Sequence, residues 1–188
     1  MQTADERADD GPEDAVAERQ EQAVPDAVLT RIGQVVMLHH GGDREEARRR
    51  FLELWAEMGE AGDPLHRCTL AHYLADTQDD PADELAWDLR ALSAAEELAA
   101  GRSGADPSAV SGFYPSLHLN LAADYLKLGR SEAARIHLTR ARRAAAALAD
   151  DGYGAGVRAA ISRLELRLAE DGASDGEGWG PPRQRPTP

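Results

Sequence analysis

The chain has 188 residues, enough for one domain with a sizeable core and too few for two that are each well buried. A net charge of −13 disfavours a nucleic-acid binder, which needs clustered cations against phosphate, and the single cysteine, Cys68, excludes an intrachain disulfide. No apolar run approaches the ~18 residues that a membrane helix requires, and the N-terminal stretch lacks the basic and apolar regions of a signal peptide, so the expectation is a cytoplasmic protein with no membrane partner.

Residues 1–25 are acidic and carry almost nothing apolar at helical spacing, which predicts a disordered tail. From Ala27 to His40, Val28, Ile32, Val35, Val36 and Leu38 form an apolar stripe that "GGD" ends. Asp43, with Glu46 three residues on, has the spacing of a capping box and predicts a helix from Arg44 to about Met58. That helix would bury Ala47, Phe51, Leu54 and Trp55 and turn Arg48, Arg49 and Arg50 outward.

Three Asp-Pro pairs follow: Asp63-Pro64, Asp80-Pro81 and Asp106-Pro107. An aspartate cap accepts from free amides, and proline in the first helical position loses no hydrogen bond, so each pair can open a helix. The pairs predict a third helix over "LHRCTLAHYLADT" and a fourth over "ADELAWDLRALSAAEELAA", with Leu85, Leu89 and Leu92 along one side. A fifth helix is placed from Pro115 and a sixth over Ser131 to Ala149, after which "GYGAG" reads as a separator. The last helix, Val157 to Ala169, presents Val157, Ile161, Leu164 and Leu168 on one face. Residues 172–188 are rich in glycine and proline and read as a second disordered tail, with Trp179 as a candidate docking anchor. The expected organisation is therefore an all-α domain over 26–171 between two tails.

Two of these helix pairs share a spacing. Leu121-Ala122, Tyr125, Gly129, Ala134, Leu138 and Ala141 resemble a tetratricopeptide repeat: a glycine turns the chain and a small residue sits where the helices cross. Leu38, Gly42, Ala47 and Phe51 repeat the pattern, with Gln34 in place of the expected leucine. Between them Leu70, Ala71 and Leu74 fit a first helix, but no turn glycine follows, and Ala86, taken as the equivalent small residue, arrives late. The resemblance implies antiparallel helix pairs stacked as a short solenoid with the last helix as a cap. It also implies a scaffold that holds a peptide or protein in the groove lined by each repeat's first helix. Carried over residue by residue, the groove would present Asn120, Lys127, Thr69, His72, Asp76, His39 and His40. Asn120 stands where related repeats place an asparagine on the peptide backbone or terminal carboxylate.

The alternative is a helical bundle that uses its histidines and cysteine for metal binding or catalysis. In "HRCTLAH", Cys68 and His72 share a helical face while His66 falls off it, and two ligands are too few for a structural zinc site. No nucleophile elbow, P-loop or HExxH motif appears, so neither catalysis nor a cofactor is expected. Arg130, Arg135, Arg140, Arg142 and Arg143 give the sixth helix a basic face, a second candidate surface for an acidic partner.

Overall fold

The computed structural model describes residues 26–101 and 111–176, the last five of them as backbone only. The acidic segment 1–25, the pair Asp106-Pro107 and Trp179 lie outside the described residues. Among those described there are seven helices and no strand: α1 (Ala27–His40), α2 (Arg44–Met58), α3 (Pro64–Ala75), α4 (Pro81–Ala99), α5 (Tyr114–Lys127), α6 (Ser131–Ala145) and α7 (Gly152–Gly176). The domain is all-α.

Local chemistry explains most of the boundaries. Asp26, Asp63 and Asp80 each accept backbone amide hydrogens of the first turn that follows, Val28 N at 2.9 Å, Leu65 N at 2.9 Å and Ala82 N at 2.7 Å respectively. Pro64 and Pro81 stand at the head of their helices, as the Asp-Pro spacing predicts. The two glycine turns are built alike. Gly42 and Gly129 have φ of +101° and +69°, a region that favours glycine. In each the next amide reaches back over the turn, Asp43 N to Leu38 O and Arg130 N to Tyr125 O, so the last carbonyls of the helix are satisfied. The α3–α4 connection has no glycine. Instead Thr77, fully buried, donates its hydroxyl to Leu74 O at 2.7 Å, and Arg44 and Arg48 of α2 donate to the carbonyls of Gln78 and Thr77.

Several expectations are corrected. Asp43 precedes α2 but makes no side-chain capping bond, and the reciprocal bond of a capping box is also missing: Glu46 pairs with Arg49 at 2.6 Å and Arg50 at 2.8 Å, and the Asp43 amide bonds to Leu38 O. "GYGAG" is no separator: it forms the opening of α7, with Asp151 accepting from Gly154 N at 2.8 Å. A side chain at Gly154 would collide with the carbonyl of Ala149, so this close approach requires glycine. α6 stops at Ala145, short of Ala149, while α7 runs past Ala169 through 172–176. Leu89, expected on the inner side of α4, is 41% exposed, whereas Leu85 and Leu92 are buried.

Packing is serial. Each helix packs on the next, α1 also meets α3, and α5 also meets α7. The core accordingly divides into three clusters. The first unites Ile32 and Val35 of α1 with Phe51 of α2 and Leu70 and Leu74 of α3. The second joins α3, α4 and the start of α5 through Cys68, Leu98 and Leu117. The third joins α5, α6 and α7 through Leu126, Leu138 and the expected face Val157, Ile161, Leu164 and Leu168. Aromatic residues seal the seams: Trp55 meets Trp87 edge-on at 5.0 Å between the first two clusters, and Tyr125 belongs to the edges of the last two.

Counting from the residue that precedes each helix shows what the pairs share. The fourth position is Ala47 in α2 and Ala134 in α6, and the eighth is Phe51 and Leu138, all buried. In α4 the same positions hold Glu84 and Asp88, and the eleventh and fifteenth, Ala91 and Ala95, are buried like Ala141 and Ala145 of α6. Ala86, taken from sequence as the equivalent small residue of the middle pair, is only half-buried, and the same count from the helix start falls on Glu84. Ala134 is fully buried at the α5–α6 crossing. Replacing it with leucine overpacks that contact and is expected to lower stability by roughly 1–3 kcal/mol, read as a fall in melting temperature; an unchanged melting temperature would contradict the pairing of α5 with α6.

Candidate functional site

A cavity of about 510 Å³ opens between α1, α3, the head of α5 and the first turn of α7. α1 contributes Leu29, Ile32, Gly33 and Val36 to its wall. Leu65, Thr69, His72 and Tyr73 come from α3, Phe113 and Ser116 from the head of α5, and Tyr153 from the first turn of α7. The lining is mainly apolar. Tyr153 is anchored there by donating its hydroxyl to Gly112 O at 3.1 Å.

Of the residues assigned to a groove from sequence, Thr69 and His72 line this cavity directly. Thr69 donates its hydroxyl to Leu65 O within its own helix, at 2.8 Å. Asn120 lies beyond, with its side-chain nitrogen 3.5 Å from His72 Nδ1, so an α5 residue and an α3 residue meet across the groove. His39 and His40 have ring centroids 5.7 Å apart at the end of α1, and His39 Nδ1 is buried without a hydrogen-bond partner. Lys127 is engaged by the protein itself, donating to Glu84 Oε1 at 2.5 Å and to Asp124 Oδ1 at 3.3 Å.

The sequence reading missed the carboxylates beneath. Asp88 is fully buried, and neither of its oxygens has a hydrogen-bond partner; His72 Nδ1 stands 3.6 Å from Oδ1. Asp124 is 1% exposed and its second oxygen is likewise unpaired. The signal is present in the register, since Asp88 takes the place of Phe51 and Leu138. It becomes readable only once α4 is known to start at Pro81.

These groups perturb one another. Burial, then repulsion from Asp88 and Glu84, pushes the Asp124 carboxyl up to about 8, with Lys127 pulling the other way. Burial also raises Asp76, which reaches solvent at the end of α3; His72 opposes the shift and Asp88 adds to it. For His72 burial alone would disfavour the charge, but Asp88 and Asp76 outweigh it and the ring titrates above its ordinary value. Cys68, 1% exposed nearby, is pushed up to about 12 by burial and by Asp88, so its thiol stays protonated and unreactive at neutral pH. His66 is turned away from it, 2.6 Å from Asp26 at the head of α1.

The basic face of α6 forms a separate surface. Arg135 donates to Leu168 O and Arg142 to Glu165, each at 3.4 Å, along a cleft of about 360 Å³ between α6 and α7. Between α5 and α6 His118 and His137 approach to 3.2 Å through their Nδ1 atoms, and burial first, then His137, lowers His118 to about 4. Among the described residues no group of three or more histidine, cysteine, aspartate or glutamate side chains has a metal-binding arrangement, and no helix is long and apolar enough to cross a membrane. No family model, curated protein or solved structure matches the chain.

The Asp124 shift fixes a pH dependence. Its folded value lies above the ordinary 3.8, so between about pH 4 and 8 the unfolded chain has released a proton that the fold retains, and this group makes stability fall as pH rises. Asp124→Asn mimics the protonated form. It is expected to match the wild type near pH ~5 and to melt higher than the wild type near pH ~8.5; a variant that melts lower at the higher pH would show that the charge paired with Lys127 stabilises the fold.

Proposed function

We propose that the chain is a non-catalytic, cytoplasmic interaction module of the tetratricopeptide-repeat kind, holding a segment of a peptide or protein along the inner faces of α1, α3 and α5. The observation that carries this reading is the cavity of about 510 Å³, to which three successive first helices and the head of α7 all contribute. The similar glycine turns at Gly42 and Gly129, the buried alanines Ala47 and Ala134, and the serial clusters support the solenoid, with α7 as its cap. A mainly apolar concavity with a few convergent polar groups suits a ligand that brings apolar side chains and a backbone to be oriented. Asn120 and His72 are the groups for that orientation. The competing reading, a metal protein or enzyme built on "HRCTLAH", loses support because His66 is held by Asp26 and the Cys68 thiol is buried and protonated.

Gly33 offers a test that separates binding from folding. It lines the cavity in mid-helix, and a Cβ placed there meets nothing within 4 Å. Gly33→Leu projects a side chain into the groove while raising helix propensity by somewhat less than the ~1 kcal/mol that separates glycine from alanine. In pull-downs from the native cytoplasm, proteins retained by the wild type are expected to be lost by Gly33→Leu at an equal or higher melting temperature and kept by Arg142→Ala. Loss with Arg142→Ala and retention with Gly33→Leu would move the binding surface to the α6–α7 face.

A further inference from the structure

The seam between α5 and α6 sets two histidines face to face. His118 of α5 is 9% exposed, His137 of α6 is half-buried, and their Nδ1 atoms stand 3.2 Å apart. Only one proton fits between two ring nitrogens at that distance: one neutral imidazole donates its Nδ1–H and the other accepts through its lone pair. A first extra proton can be shared across that bond. A second cannot, because each histidinium carries hydrogen on both nitrogens and the pair would then meet donor to donor. The rings are also held in place from either side. Tyr114 stacks on His118 at 6.1 Å between centroids and donates its hydroxyl to Ala95 O of α4, while Tyr125 packs against His137 at 5.3 Å.

We propose that the contact between His118 and His137 is an acid-sensitive latch: with the rings neutral it ties α6 to α5, and with both protonated it parts, loosening α6 and α7 from α5 while the first two core clusters stay packed. Among the described residues no carboxylate bears on either ring to steady its charge. Arg140, three residues beyond His137 on the same face of α6, repels a proton on both. On the α4 side Glu96 and Cys68 bear on Tyr114, and on α5 itself Asp124 faces Asp88, Glu84 and Lys127; α7 brings no ionisable group to the pair. Burial first, then these neighbouring charges, hold both rings below the ordinary 6.5, with His118 lowered to about 4. The stability that the latch supplies is therefore fully present above pH ~6.5 and is lost as pH falls towards ~4, the opposite direction to the contribution of Asp124. Serial packing localises the effect, since α6 packs on α5 and α7 and shares with them the third cluster, through Leu126, Leu138 and Ile161.

The test is nuclear magnetic resonance of the isotope-labelled full-length chain across pH. Near pH ~7.5 a scalar coupling between the two Nδ1 atoms should report the shared proton, and on acidification both rings should titrate below 6.5 as that coupling disappears. Amide exchange reads the opening. Corrected for the intrinsic effect of pH, exchange at Leu138 and Ala141 of α6 should rise about tenfold or more between pH ~7 and ~5, with Leu70 and Leu74 of α3 unchanged. His137→Asn places an amide where Nδ1 stood, so a protonated His118 keeps an acceptor. In that variant the rise should stay within about threefold. Rings that lack the coupling or titrate at 6.5 or above would overturn the latch, as would α6 amides no more acid-sensitive than those of α3. An equal rise in wild type and His137→Asn would assign the opening to other groups and overturn it too. Should His137→Asn fail to fold, the coupling, the ring titrations and the contrast between α6 and α3 in the wild type decide the matter.

Discussion

Close approach at the helix crossings is the constraint on which the rest of this structure depends. Where α2 and α6 cross their neighbours, Ala47 and Ala134 are fully buried, and any larger side chain would hold the helices apart. That closeness allows a short glycine turn to return the chain, lets Phe51 and Leu138 fill the space one turn on, and brings α1 beside α3 and α5 beside α7. Because each cluster uses helices shared with the next, the core is distributed along the series of helices, and a cavity opens between α1, α3 and the head of α5.

The middle pair departs from this scheme in the place where the departure matters most. Glu84 and Asp88 take the positions that alanine and a large apolar residue hold elsewhere, and Asp124 meets them from α5. Burying carboxyl groups so close together opposes folding, since each must keep a proton or find a cation. Lys127 and His72 offset part of that cost, and alanines at 91, 94 and 95 with Leu98 keep the remainder of α4 tightly packed. Asp88 and Ala95, seven residues apart, stand on one face of α4, so the buried carboxylate and the alanine packing occupy successive turns of the same face.

Much of this is legible in the sequence. The Asp-Pro pairs at 63–64 and 80–81 give α3 and α4 their starts, the glycines at 42 and 129 mark the turns, and the inner face of α7 follows from helical spacing alone. Local signals fail where a side chain has a rival partner. Asp43 and Glu46 have capping-box spacing, yet arginines one turn on claim the glutamate; "GYGAG" looks like a breaker, yet Asp151 caps it and the contact with Ala149 requires its central glycine. Of the candidate site, Thr69 and His72 stand in the cavity wall, three residues apart on one helical face, and Asn120 lies beside them. Asp88 and Asp124 escape sequence reading, because in so acidic a chain an aspartate carries no mark of burial until the register of its helix is known.

Recognition on the cavity side of α1, α3 and α5, and not on the arginine face of α6, is tested by amide chemical shifts of the isotope-labelled chain during titration with a protein retained in the pull-down. The resonances expected to move are those of Leu29, Gly33, Val36, Thr69, Tyr73 and Asp76, with Arg135, Thr139 and Arg142 unchanged. Movement confined to Arg135, Thr139, Arg142 and Glu165 would contradict it.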